Sequence, residues 1–180
     1  MKGKRWFDVV RSGTIALVGS IDYRIEFATE VRSLILNEKP DVICVELPLS
    51  LRENILEGVR HLPYHSVIIY GNEANQYSGF IVEGSDGVFE AVRSGIELGV
   101  PVWFLDPVLS HRHGSSDKLP DSFTIDIVGQ NTCFNSQLGS FLKLKGNVDN
   151  TLRLTFMASR LQAAARNYAK VLFVCRFGSI

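Results

Sequence analysis

The sequence predicts an α/β fold: a mostly parallel central sheet of about five strands with helices on both faces. Three observations carry this expectation. Short apolar runs alternate with segments of helical period along much of the 180 residues. Two of the runs, 42–45 and 102–105, are continuously apolar where a half-exposed strand would alternate. Each then meets an acid and a proline, Glu46-Leu47-Pro48 and Asp106-Pro107. A strand covered on both faces shows no polar side. Strands separated by helical segments imply right-handed βαβ units.

Taken in order, Thr14–Val18 reads as the first strand, closed by Gly19-Ser20. Tyr23–Asn37 then places Ile25, Phe27, Ala28, Val31, Leu34 and Ile35 at helical spacing, and Asn37-Glu38-Lys39-Pro40 breaks the helix. Asp41–Glu46 is the second strand. Leu49–Val59 reads as a short helix, with Ser50 as N-cap and Glu53 three residues on completing a capping box. Ser66–Tyr70 is a third, β-branched strand, stopped by Gly71-Asn72.

Asp86–Leu98 carries Val88, Phe89, Val92 and Ile96 at helical spacing, and Gly99 stops it before a fourth strand, Val100–Leu105. From Pro107 to about Asn150 the periodicity weakens. Residues 111–117 read as a loop, and Asp121–Gly129 as a strand or an irregular excursion. A long helix from about Asn150 or Thr151 to Tyr168 sets Leu152, Leu154, Met157, Leu161 and Ala164 on one side, and Lys170–Cys175 is a fifth buried strand.

Composition narrows the function classes. At 46% hydrophobic and 21% charged, residues 1–180 fit a single globular domain. A chain of this size buries roughly 70% of its unfolded surface and needs no disulfide or metal to hold a core. Lysine plus arginine equal aspartate plus glutamate at 19 each, which leaves no electrostatic footprint for nucleic acid. Cys44 and Cys175 lie inside apolar runs and Cys133 in a polar segment, so buried thiols of a reducing, cytoplasmic protein are expected over a disulfide framework, and no CxxC pair proposes zinc. Lys2-Gly3-Lys4-Arg5 has the look of a signal-peptide start, but Asp8, Arg11 and Ser12 interrupt the apolar stretch that should follow. No run approaches the about 18 apolar residues needed to span a bilayer. The last strand runs straight to an apolar Ile180, so the chain is expected to be the N-terminal domain of a longer protein.

Ligands of open α/β sheets bind at the carboxyl ends of the strands. Those ends present Gly19-Ser20-Ile21-Asp22, Glu46, Glu73, Asp106 and Gly178-Ser179-Ile180. Four acids at one edge must be protonated, paired with a base such as Arg52, or bound to a cation. Gly19, Ser20, Glu73 and Gly178 are thus candidate ligand-binding residues, although Glu46 and Asp106 also suit helix capping or arginine pairing. A dinucleotide fingerprint is missing, because only Gly19 of its three glycines is present. Walker A, GxSxG and HExxH patterns are absent. His61 and His65 have helical metal-pair spacing, but Pro63 between them favours a turn, and His111 and His113 fall in a Gly/Ser loop.

The stretches Gly19-Ser20-Ile21-Asp22, Lys39–Leu47 with Arg52 behind it, and Gly87–Asp106 resemble the TraB/TIKI-type proteins, which belong with the erythromycin-esterase and ChaN-like (EreA/ChaN-like) α/β proteins. That pattern has a Gly-x-x-His after the first strand, a KPDxVxVEL strand with a nearby arginine, and a second Gly-x-x-His after a late strand. The resemblance covers most of Thr14–Asp106 and Thr151–Ile180. Asp22 replaces the first histidine, and the chain reaches Ile180 where the second would follow.

The resemblance implies a three-layer EreA/ChaN-like fold and a hydrolase-like, acidic, metal-binding site, with peptide or ester hydrolysis among the family's activities. Glu46 would serve as general base or metal ligand, Asp22 as a second metal ligand, Asp106 as a supporting acid and Arg52 as a stabiliser of developing negative charge. A divalent metal ion is the implied cofactor, and a small molecule or peptide the implied substrate. Asp22 in the histidine position also suits a non-catalytic domain that holds a small ligand or serves as a structural part of a larger protein.

Overall fold

The computed structural model describes residues 9–71, 77–107, 121–128 and 148–176. Glu73, His111, His113, Cys133 and Gly178 lie outside the described residues. The elements in chain order are β1 (Val10–Ser12), β2 (Ile15–Ser20), α1 (Ile25–Glu38), β3 (Val42–Pro48), a 3-10 turn (Leu49–Leu51), α2 (Arg52–Arg60), β4 (Ser66–Gly71), β5 (Tyr77–Val82), α3 (Gly87–Leu98), β6 (Val102–Asp106), α4 (Ser122–Val128), α5 (Val148–Asn167) and β7 (Val171–Arg176).

Five strands form one sheet in the order β1-β2-β7-β3-β6. β2, β7, β3 and β6 run parallel, and β1 joins the edge antiparallel to β2. The α/β class with a five-stranded, mostly parallel sheet therefore matches the expectation. One member differs. The run Ser66–Gly71 pairs antiparallel with β5 in a separate two-stranded sheet, and β1 takes the fifth place in the main one.

The physical reason is visible in burial. Val67 and Ile69 are exposed while Ile68 is buried, so this run alternates, and its partner lies only a few residues downstream. A β-branched run specifies a strand but not its sheet.

Two other expectations change. No side chain caps α2: its N-cap is Leu51, after a 3-10 turn that includes Ser50, and Glu53 pairs with Arg52 instead of closing a capping box. Ser122–Val128 is helical, not a strand. The α3 signals hold as read: Asp86 caps the helix by accepting from the Val88 amide at 2.8 Å, and Gly99 ends it at φ 67.

Successive side chains of a strand point to opposite faces, and the two hydrophobic clusters divide accordingly. Ala16, Val18, Ile43, Val45, Leu172, Val174 and Phe104 meet α1, α2 and α3 on one face. Val42, Cys44, Val171, Phe173, Cys175 and Leu105 meet Met157 and Ala164 of α5 on the other. β3 is buried along its whole length, as a continuous apolar run requires. Among the described residues, no helix is long and apolar enough to cross a membrane.

Burial pushes the Cys44 thiol up to about 12 and holds Cys175 well above its ordinary range. In a Cys133→Ser background neither thiol should react with Ellman's reagent at pH 8 until urea unfolds the chain. The sign for stability follows. Both thiols stay protonated in the fold, so their contribution is complete below the unfolded thiol pKa of about 8.5 and is lost as the pH rises from there. Reaction of the native protein at the rate of a free thiol would contradict the packing.

Candidate functional site

The parallel strands end together, and their last residues bring charge to one edge. Glu46 stands near the end of β3, 2% exposed. A register shift places it: Val45 pairs with Phe104 and Pro48 with Asp106, three steps along β3 against two along β6. The extra residue breaks the regular register of the pair at Glu46, the kind of irregularity that re-aims side chains and often lies beside functional sites. Asp106 ends β6, 1% exposed.

Both acids are held by one arginine. Arg153 of α5 donates through Nε to Asp106 Oδ1 at 3.0 Å and through Nη2 to Asp106 Oδ2 at 2.8 Å, while the same Nη2 reaches Glu46 Oε1. The second Glu46 oxygen, Oε2, accepts the backbone N–H of Arg176 at 2.7 Å. A fork of N–H groups on a carboxylate is the geometry that makes arginine effective in such pairs.

Arg176 builds the other half. It ends β7 in register with Ser20 of β2, so both side chains leave the sheet on the α1/α3 face. Its Nε contacts both oxygens of Asp22, at 2.9 and 2.7 Å, and its Nη2 lies 3.8 Å from Asp86 Oδ2. Asp86, 1% exposed, also caps α3. Ser20 is fully buried and packs against the start of that helix. A Cβ on Gly87 would sit 2.5 Å from Ser20 Oγ and 3.2 Å from Val31 Cγ2, so only glycine fits there.

Electrostatics agree with the contacts. Burial acts to lower the pKa of both arginines. For Arg153 the hydrogen bond to Asp106 and the Glu46 charge override it, and for Arg176 the charges of Asp22, Asp86 and Glu46 do. Both guanidiniums are held above their ordinary value. Tyr23 is likewise raised, first by burial and then by Asp22 and Asp86, so its hydroxyl stays a neutral donor.

The structure thus brings Asp22, Glu46 and Asp106 to one edge, with Ser20 and Gly19 at the end of β2 beside them. Arg52 has other contacts. It pairs with Glu53 and lies over the Phe104 ring at 6.0 Å, and the guanidinium on Glu46 belongs to Arg153. Sequence reasoning missed Arg153, Arg176 and Asp86 as site residues. Arg176 had a signal, a cation directly after an apolar strand. Arg153 was obscured because Leu152 and Leu154 flank it. Yet Leu152 is 65% exposed and Met157 buried, so the inward stripe runs through Arg153, Met157, Leu161 and Ala164.

The divalent cation implied for Asp22 and Glu46 does not fit these residues. Both Asp22 oxygens contact Arg176, and the Glu46 oxygens accept from Arg153 and from the Arg176 amide. Among the described residues, no group of three or more His, Cys, Asp or Glu is arranged to hold a metal ion. His61 contacts Glu57 at 3.5 Å at the end of α2, away from these acids in the chain. Comparison with family models, curated proteins and solved structures returned no match for this chain.

Removing one partner of a buried ion pair strands the other charge, typically at a cost of about 3–5 kcal/mol. Arg153→Met should therefore lower the unfolding free energy by about that amount at pH 7, read by urea titration. Adding Glu46→Gln and Asp106→Asn to the variant should recover most of the loss. A loss under about 1 kcal/mol would mean that the bridge is solvent-screened.

Proposed function

We propose that this domain binds a small polar ligand at the carboxyl edge of its sheet and does not turn it over. The observation that carries this is the state of Glu46: both its oxygens already accept from positively charged or backbone donors. A general base must reach the proton it removes, and Glu46 is only 2% exposed behind Arg153 and the Arg176 amide. The paired acids and arginines instead form a fixed polar surface, and the strand ends of an open α/β sheet are the usual place for one. In this reading Gly19 and Ser20 line the ligand side, and the domain works in the cytoplasm, alone or as the structural part of a larger protein.

A second reading has one specific observation in its favour, the break in strand register at Glu46. It is the hydrolase-like reading that the TraB/TIKI resemblance implies, with a peptide or ester substrate. Glu46 would act as base once a substrate displaces Arg153, with Asp22 and Asp106 as supporting acids. Arg52 would have to turn from Glu53 to stabilise developing negative charge.

Two measurements on the purified chain separate these. A thermal-shift screen over small polar compounds should find at least one that raises the unfolding midpoint, since a ligand of the native state stabilises it by about 2.7 kcal/mol at a hundredfold excess over Kd. Generic ester and peptide substrates should not be turned over above the uncatalysed rate. Turnover that is lost in Glu46→Gln would replace the binding reading with the hydrolase one.

A further inference from the structure

On the α3 side of the edge, Ser20 and Arg176 each carry a buried polar atom that no described residue satisfies. Among the described residues, Ser20 Oγ and Arg176 Nη1 have no hydrogen-bond partner, and Ser20 is 0% exposed. They are close in the fold, because Ser20 and Arg176 are register partners on adjacent strands. A buried guanidinium nitrogen without an acceptor is costly, and so is a buried hydroxyl. Native proteins keep such groups where something else completes them.

Resting on the proposal that this edge is a ligand site, we infer that its Ser20–Asp22–Asp86–Arg176 half recognises a neutral polyhydroxyl compound, a sugar or a sugar-like polyol. The chemistry of the unpaired atoms narrows the class. Arg176 Nη1 can only donate, so the ligand must bring an acceptor oxygen. That excludes a simple amine, which has donors alone and carries the same charge as the guanidinium.

A simple anion meets the opposite obstacle. Asp22 and Asp86 both lie against Arg176, at 2.7 and 3.8 Å, so one positive charge already faces two negative ones. A further negative charge would be repelled by both carboxylates in a poorly screened place. A hydroxyl avoids both problems. It accepts from Arg176 Nη1, and it donates to a carboxylate or to Ser20 Oγ.

Tyr23 adds the apolar half of the match. Tyr23 is 54% exposed, next to Asp22 in the β2–α1 turn, and offers a ring to the C–H face of a sugar with a neutral hydroxyl at its tip. The unpaired atoms are closed to solvent here, whereas the side chains of Asp22 and Arg176 are 29% and 20% exposed. The ligand therefore enters over the Asp22–Tyr23 turn. Tyr23 holds φ 60, a left-handed conformation unfavourable for a bulky residue, and its relief on opening helps the turn to give way.

The test is calorimetric titration of the full chain with glucose, maltose, sucrose and inositol, beside acetate, phosphate and methylammonium. Saturable binding of at least one neutral saccharide or polyol is expected, weakened at least tenfold in Ser20→Ala and in Tyr23→Ala, each checked for native circular dichroism and an unchanged unfolding midpoint. Arg176 is not varied, because its loss would strand Asp22 and Asp86. Binding of acetate, phosphate or methylammonium alone, lost in Glu46→Gln, would overturn the ligand class and leave the ligand site standing. Saccharide binding undiminished in both variants would overturn the assignment to this half of the edge. No binding by any of the seven probes would overturn the inference, while a hit of other chemistry in the thermal-shift screen would still support the site.

Discussion

Glu46 sits in a strand covered on both faces, where water cannot solvate a carboxylate. A charge in that position persists only if its oxygens find donors of their own, since desolvation costs several kcal/mol per ion. Arg153 supplies one side and the Arg176 amide the other. The same arginine must then reach Asp106, which ties α5 to β6, and the same β7 residue must reach Asp22 and Asp86, which ties the sheet to the β2–α1 turn and to the start of α3. One need, keeping a buried carboxylate paired, thus links every segment that meets at the edge.

That linkage is long-range. The Glu46 contacts span 107 and 130 residues and the Asp22 contact 154. β2 and β3 are consecutive among the parallel strands in sequence, yet β7 lies between them. The sheet therefore closes only when the C-terminal α5–β7 unit docks, and the site closes in the same event. A chain organised this way must meet the entropy of a long loop before its central contacts form. The same dependence explains why a ligand at the edge would report on the integrity of the whole sheet.

The strand-end reading of the sequence located the acids better than their partners. Asp22, Glu46 and Asp106 do converge, because each ends, or directly follows, a parallel strand and the ends of parallel strands share an edge. Arg52 was attached to Glu46 by nearness in sequence, and the helix that carries it turns the guanidinium towards Glu53 and the Phe104 ring. Arg153 is more than a hundred residues from Glu46, and its inward direction depends on the rotation of α5, which two flanking leucines disguised. The hairpin β4–β5 was hidden for a related reason: a short β-branched run has the same composition whether its neighbour is a distant parallel strand or the next segment of the chain.

By itself the sequence determined the strands of the main sheet except β1, the positions of α1, α3 and α5, and the burial of β3. Those properties live in local periodicity, turn residues and continuous apolar runs. Tertiary structure alone decided which strand became central, which arginine met which acid, and which polar atoms were left waiting for a partner. Register, helix rotation and pairing across the sheet are differences between whole arrangements of the chain, and no window of ten residues contains them.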